Sequence, residues 1–198
     1  RMKDSILKSI ELFEEHYKLK FDVDYIVKIA QKDVNNYVIK YKDGSINGVG
    51  RFANHSGGNY ARNSMTIIDK ALVNYYMNDI KVNRTIMNEY KKNNLEAFQY
   101  VIKSGKYDGL AQEFFSDTLF ENVKGTTFKS IGHTARVFAT RNKKLGSIYR
   151  FKEGAETKYT KVAYTSENCL VWNDDLRKMN RRLIDLNWYI KETERWLF

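Results

Sequence analysis

Hydrophobic and polar positions follow two rhythms along this chain, and the change falls near Gly125. Before it, apolar residues mostly recur every three or four positions, the period of a helix with one buried face. Ile6, Leu7, Ile10, Leu12, Phe13 and Tyr17 gather largely on one side of a predicted helix over 3–18, with Glu14 and Glu15 opposite and Asp4 or Ser5 placed to cap it. FDVDYIVKIA, residues 21–30, fits either period. NNYVIKYKDGS reads as a strand ended by a turn at Asp43-Gly44, and INGVGRF as its hairpin partner. Helical spacing returns from about Ser64 to Asn78 (Met65, Ile68, Leu72, Tyr75, Tyr76). It recurs over roughly 83–103 (Ile86, Tyr90, Ala97, Tyr100, Val101) and over 108–122 (Phe114, Phe115, Leu119, Phe120).

Beyond Gly125 the period becomes two. TTFKSIGHTARVFATRN, LGSIYRFKEG and TKYTKVAYTSENCLVW predict three strands joined as a meander. Asn173, Asp174 or Asp175 then caps a final helix whose Leu176, Met179, Leu183, Leu186, Ile190 and Leu197 keep a three-four spacing. That stripe is expected to pack within the chain, with docking on a partner helix as the other option, a homo-oligomer among them. The predicted fold class is α+β: a helical N-terminal part with a short hairpin, then a C-terminal antiparallel β-meander closed by a long amphipathic helix. One domain over 1–198 is expected, with a possible subdivision into 1–123 and 124–198.

Composition narrows the class. A chain of 198 residues with 42% hydrophobic and 29% charged residues has enough apolar material for a packed core. No apolar run approaches a membrane span, and no signal peptide precedes the first predicted helix, so an intracellular, cytoplasmic protein without a membrane partner is expected. The single cysteine, Cys169, lies in the apolar run ENCLVW and excludes an internal disulfide and most zinc sites. No metal ion and no cofactor is expected. The absence of proline, with abundant Asn, Lys, Tyr and Ile, points to an AT-rich coding sequence such as that of a low-GC bacterium or its phages.

Charge changes the picture most. Lys and Arg total 34 against 24 acids, a net charge of +10 that favours anionic partners. The excess is concentrated at 124–152, which holds eight basic residues and no acid. Lys129, Arg136, Arg141, Lys143, Lys144, Arg150 and Lys152 are the candidate phosphate contacts, with Phe138, Tyr149 and Phe151 interleaved as possible stacking rings. The other reading of this run is a solvated sheet face whose aromatics point into the core.

A second candidate is GRFANHSGGNYARNS, residues 50–64, inside a stretch from Gly44 to Thr66 without a single acid. Gly57-Gly58 permits positive φ, the following helix offers unpaired N–H groups, and Arg51 and Arg62 flank the segment. It is either an anion-holding loop, with His55 as donor or base, or a plain connection capped by Asn63 or Ser64. It matches neither phosphate-binding glycine motif. Catalysis has thin material: His55 has only Ser56 as a neighbouring nucleophile, His16 and His133 read as structural, and YKDG at 41–44 places Tyr41 where a nucleotidyl-transferring lysine would stand.

Residues 51–59, RFANHSGGN, resemble an R-x-x-N-H-S-x-x-N element of a family of small basic phage-encoded anti-CRISPR proteins, through Arg51, Asn54, His55, Ser56 and Asn59. The resemblance implies a phage or mobile-element protein that inhibits an RNA-guided nuclease, acting in the host cytoplasm. The expectation is therefore a non-enzymatic protein that binds nucleic acid or a nucleoprotein complex through a basic β-surface. The alternatives are an enzyme acting on a phosphorylated or nucleic-acid substrate with His55 as base, and a structural module that assembles through its C-terminal helix.

Overall fold

The computed structural model describes residues 2–53, 65–116, 125–154, 158–163, 165–166 and 168–198. The protein is α+β. Helix α1 (Met2–Tyr17) is followed by strands β1 (Ile26–Asp33), β2 (Asn36–Tyr41) and β3 (Ile46–Val49), then by helices α2 (Thr66–Asn78) and α3 (Val82–Lys91). Strands β4 (Tyr100–Lys103), β5 (Gly109–Ser116), β6 (Gly125–Gly132), β7 (Thr134–Ala139), β8 (Leu145–Lys152), β9 (Lys158–Lys161) and β10 (Cys169–Val171) come next, and α4 (Leu186–Glu194) closes the chain. The strands form three antiparallel sheets, ordered β1-β2-β3, β10-β7-β4 and β6-β5-β8-β9.

Local chemistry sets the element boundaries, and in three places it overrules apolar spacing. The helix expected over 83–103 stops at Lys91 because Asn93 takes a left-handed conformation (φ 58°), and the chain re-enters as one 3-10 turn, Leu95–Phe98, before β4. Glu89 fixes this exit: buried on α3, it accepts from the Asn94 amide at 2.8 Å and pairs with Lys70 of α2 at 3.0 Å. Residues 109–116 form a strand where a helix was expected. They occupy an interior position between β6 and β8, and the pairing partners outweigh the helical preference of Leu-Ala-Gln-Glu. The long final helix is cut into three starts. Asp175, Asn180 and Asp185 each accept a backbone N–H just ahead, from Arg177, Arg182 and Trp188, so two 3-10 turns precede α4.

The expected meander is likewise divided. TTFKSIGHTARVFATRN bends at Gly132 (φ 90°) into β6 and β7, which belong to different sheets, and the last predicted strand splits into β9 and β10 in the same way. The two sheets pack face to face. Leu110 and Ile148 meet Ile102, Ala135, Val137, Val162 and Cys169 in one core, and the Gln112 amide donates to the Cys169 carbonyl. On the other side of β7, Phe138 joins a larger core made by α2, α3, α4 and Phe98, with Val38 and Phe52 from the N-terminal hairpin region. That core contains residues from both sides of position 124.

Tyr189 joins these layers. Its ring is fully buried, edge-on to Phe98 at 5.2 Å, and its hydroxyl donates to the Phe98 carbonyl (2.7 Å) while accepting from the Ala139 N–H (3.1 Å). Of the apolar stripe of the C-terminal region, Leu176, Met179, Leu186, Ile190 and Leu197 pack on the chain's own core while Leu183 stays exposed, and Phe198 stacks on Tyr76 at 4.7 Å. By contrast α1 buries none of its residues. The turn at Lys18 brings Phe21 back against Phe13 and its N–H to the Glu14 carboxylate.

The start of the glycine-rich segment has a steric explanation. Gly50 sits at φ 64°, and a Cβ there would lie 2.0 Å from the Asn35 carbonyl oxygen, so only glycine lets the 3-10 turn Gly50–Phe52 cross the β1–β2 turn. Gly105 has nearly the same φ, 62°, but a Cβ there would meet no atom within 4 Å. Gly50→Ala is expected to cost about 2 kcal/mol or more, and Gly105→Ala only the left-handed strain of about 1 kcal/mol. Urea unfolding of the two variants gives the comparison; equal costs would mean that the approach to Asn35 relaxes freely. Tyr189→Phe, which leaves the Ala139 N–H and Phe98 carbonyl without their shared partner, is expected to cost about 1–3 kcal/mol in the same assay.

Candidate nucleic-acid interface

The sheet β6-β5-β8-β9 has one face on the core and one face open, and strand register assigns each side chain to one of them. Leu110 pairs with Arg150 and Gln112 with both Lys129 and Ile148, which places all five on the inner side. Ala111 pairs with Tyr149, Gly109 with Phe151, Glu113 with Phe128, Phe151 with Tyr159 and Tyr149 with Lys161. These residues share the open face, where Phe115 lies two positions beyond Glu113 on β5.

Phe128 and Tyr159 sit on opposite edge strands, which a flat sheet would hold about 14 Å apart, three strand spacings. Their rings are stacked at 4.5 Å with an interplanar angle of 17°. The two side chains therefore reach towards each other across β5 and β8 and cover the middle of this face. The surface beneath is made low for them: Ala111 is small, and Gly109 lacks the Cβ that would lie 2.8 Å from the Phe151 ring. Tyr149 meets Phe128 edge-on at 5.3 Å, and Phe151 lies 6.1 Å from Tyr159. Phe128 and Tyr159 each remain 41% exposed and Phe115 38%. Glu113, the acid on this face, is engaged by its neighbours: it accepts from the Ser147 N–H at 3.3 Å and holds the Tyr149 hydroxyl, whose titration is pushed up by burial and by that carboxylate.

The basic residues singled out in the sequence do not form one ridge. Lys129, Arg150 and Lys152 belong to the inner side of this sheet, and Arg150 donates from Nε to the carbonyl of Lys103, at the end of β4 in the second sheet, at 3.2 Å. Lys152 lies 6.0 Å from the Tyr107 ring centre. Arg136 is exposed on the far side of β7, sharing a face with the fully buried Phe138, so that ring is core and not a stacking surface. Arg141, Lys143 and Lys144 occupy the β7–β8 turn. Arg141 is 3.8 Å from Asp185, while the Lys144 carbonyl accepts the Phe115 N–H, which sets the turn at the end of the aromatic face. Sequence reasoning missed Phe128 and Tyr159. The available signal was an aromatic residue on a strand whose flanking positions, Thr127 and Lys129 or Lys158 and Thr160, are also polar.

Arg51, expected at an anion site, already has its anion. Its Nε lies 3.2 Å from Oδ1 of the buried Asp69 in the first turn of α2, out of line for a hydrogen bond between those atoms, and its guanidinium lies over Trp196 at 5.3 Å. His55, Arg62 and Asn54–Asn59 lie outside the described residues.

Reactive chemistry is sparse among the described residues. Ser104 Oγ and His133 Nδ1 share a hydrogen bond of 3.2 Å, but Ser104 is buried and no carboxylate is hydrogen-bonded to the imidazole, so the pair closes the end of β4 and β7 without forming a triad. No group of three or more metal-ligating side chains occurs among the described residues, and no helix there is long and apolar enough to cross a membrane. A polar cleft of about 590 Å³ lies beside α4, yet its Arg195 is bound to Glu192 at 3.0 Å and its Asp185 caps α4, leaving Lys161 as its unpaired cation among the described residues. Burial pushes the Cys169 thiol up to about 11, against the smaller pull of its Ser166 and Thr165 hydrogen bonds. A thiol-specific chromogenic disulfide at pH 8 is expected to leave Cys169 unmodified in the folded protein and to label it fully in urea; rapid labelling without denaturant would contradict its burial.

Comparison of the chain with family models, with curated proteins and with solved structures finds no match to any of them.

Proposed function

We propose that this protein binds nucleic acid, or a nucleoprotein complex, through the basic region carried by β6, β7, β8 and the β7–β8 turn, and that it performs no chemistry of its own. The observation that carries this reading is the state of the cations. Lys129, Arg136, Lys143 and Lys144 are all exposed, and none has a carboxylate within ion-pair distance among the described residues. Where the fold needs a cation, as at Arg51 or Arg141, it supplies an acid. The four left without one are available to displace counterions from phosphates.

A narrower form follows from the resemblance at residues 51–59: an inhibitor that acts in the host cytoplasm and occupies the nucleic acid or the nucleic-acid channel of an RNA-guided nuclease. Its test is inhibition of target cleavage by such a nuclease, relieved by excess guide or target.

Fluorescence polarisation with labelled DNA and RNA over a range of salt concentrations tests the broader reading. Binding is expected to weaken linearly in log–log form, with a slope of about −0.7 to −0.9 per phosphate contacted. Lys143→Gln with Lys144→Gln should flatten that slope by about 1.5 and weaken binding to all sequences alike. Absence of binding to every nucleic acid would overturn the reading and transfer the basic surface to an acidic protein partner.

A further inference from the structure

We infer that the open face of β6-β5-β8-β9 takes single-stranded nucleic acid, with unpaired bases stacking on the Phe128–Tyr159 pair. This rests on the nucleic-acid reading above and adds to it the strand state and the residues that touch the bases.

The first step is energetic. Two rings that are each two-fifths exposed, with Phe115 beside them, leave apolar surface in water that a fold of this size has other cores to absorb. Their order is not that of a disordered surface cluster. They are stacked nearly parallel, buttressed by Tyr149 and Phe151, and seated over Gly109 and Ala111. A two-ring stack of this kind accepts a third flat ring with little loss of side-chain freedom, because the support is already fixed.

The second step is the identity of that ring. Charge complementarity favours a polyanion: Lys143 and Lys144 lie at one end of the aromatic face, next to Phe115, while Lys161, two residues along the edge strand from Tyr159, lines the cleft beside α4. Cations at the end of an aromatic surface suit the phosphates of a strand whose bases stack on the rings, the pattern by which sheets hold single strands. A duplex keeps its bases paired and stacked inside, so it can use the lysines but not the rings. Among the described residues the open face also offers no array of side-chain amides or carboxylates to read base edges, Glu113 being engaged by Ser147 and Tyr149, which predicts tolerance of sequence.

The experiment compares a 12-nucleotide single strand with the duplex of the same sequence, at one salt concentration, against the intact chain. The single strand is expected to bind at least tenfold more tightly. Phe128→Ala and Tyr159→Ala are each expected to weaken it between about fivefold and a hundredfold, the range of one lost base stack. Tyr159→Phe, which keeps the ring, should bind like the wild type. A readout on the unaltered protein guards against misfolded variants: 2-aminopurine placed in the strand should change in fluorescence when its base stacks on the rings. Equal affinity for duplex and single strand, or ring removal without effect while Lys143→Gln with Lys144→Gln weakens binding, would overturn this inference and leave the basic-surface reading standing. Absence of binding to either form would remove both.

Discussion

The hydroxyl of Tyr189 is the contact through which the helical layer and the sheets hold one another. It is a single buried polar atom serving two backbone groups on different elements, the Phe98 carbonyl ahead of β4 and the Ala139 N–H at the end of β7. Burial pushes the phenol above its ordinary range and so favours the neutral donor. Thr193, one turn further on, closes on the Tyr189 carbonyl at 2.7 Å. With α4 held this way, Asp185 reaches Arg141, Trp196 lies over Arg51, and β7 is fixed between β10 and β4. The position of the basic turn relative to the sheets is thus a consequence of core packing.

From that frame follows a division of the charges into two populations. One is structural: Arg51 with Asp69, Lys70 with Glu89, Arg141 with Asp185 and Arg177 with Asp175. The carboxylate of Glu89 shows the balance involved. Burial raises its titration, but the Asn94 amide and Lys70 outweigh this and hold it below the usual range. A depressed carboxylate contributes stability above its unfolded value and loses it as pH falls through its folded value, so the α2–α3 junction is a point of acid sensitivity. The other population, Lys129, Arg136, Lys143 and Lys144, has no carboxylate within ion-pair distance among the described residues. Of these, Lys143 and Lys144 lie at the end of the sheet face that carries the exposed rings, while Lys129 and Arg136 lie on other faces.

Much of this was legible in the sequence where a local signal and the tertiary context agree. The Asp43-Gly44 hairpin, the helix ending at Asn78 and the strands β7 and β8 all follow from turn chemistry and period. Apolar spacing failed where polar residues decide. Asn93-Asn94 ends α3 although the three-four spacing continues past it, and Asp175, Asn180 and Asp185 cut a regular stripe into three pieces. The site was only partly legible for a different reason. Asp69 answers Arg51 across eighteen positions, and Phe128 meets Tyr159 across two intervening strands, which no window of sequence contains. The basic run was visible as composition, but its distribution over both sides of one sheet, a turn and a second sheet depends on pairing register.

Ultraviolet cross-linking of the intact chain to a single-stranded oligonucleotide, followed by mass spectrometry of the linked peptides, tests the central claim most directly. The account predicts cross-links concentrated in the peptides carrying Phe128 and Tyr159, reduced in high salt as the lysine contacts weaken. Cross-links confined to α1 or to the hairpin β1-β2-β3, or none at all under conditions where a known single-strand binder is labelled, would contradict it.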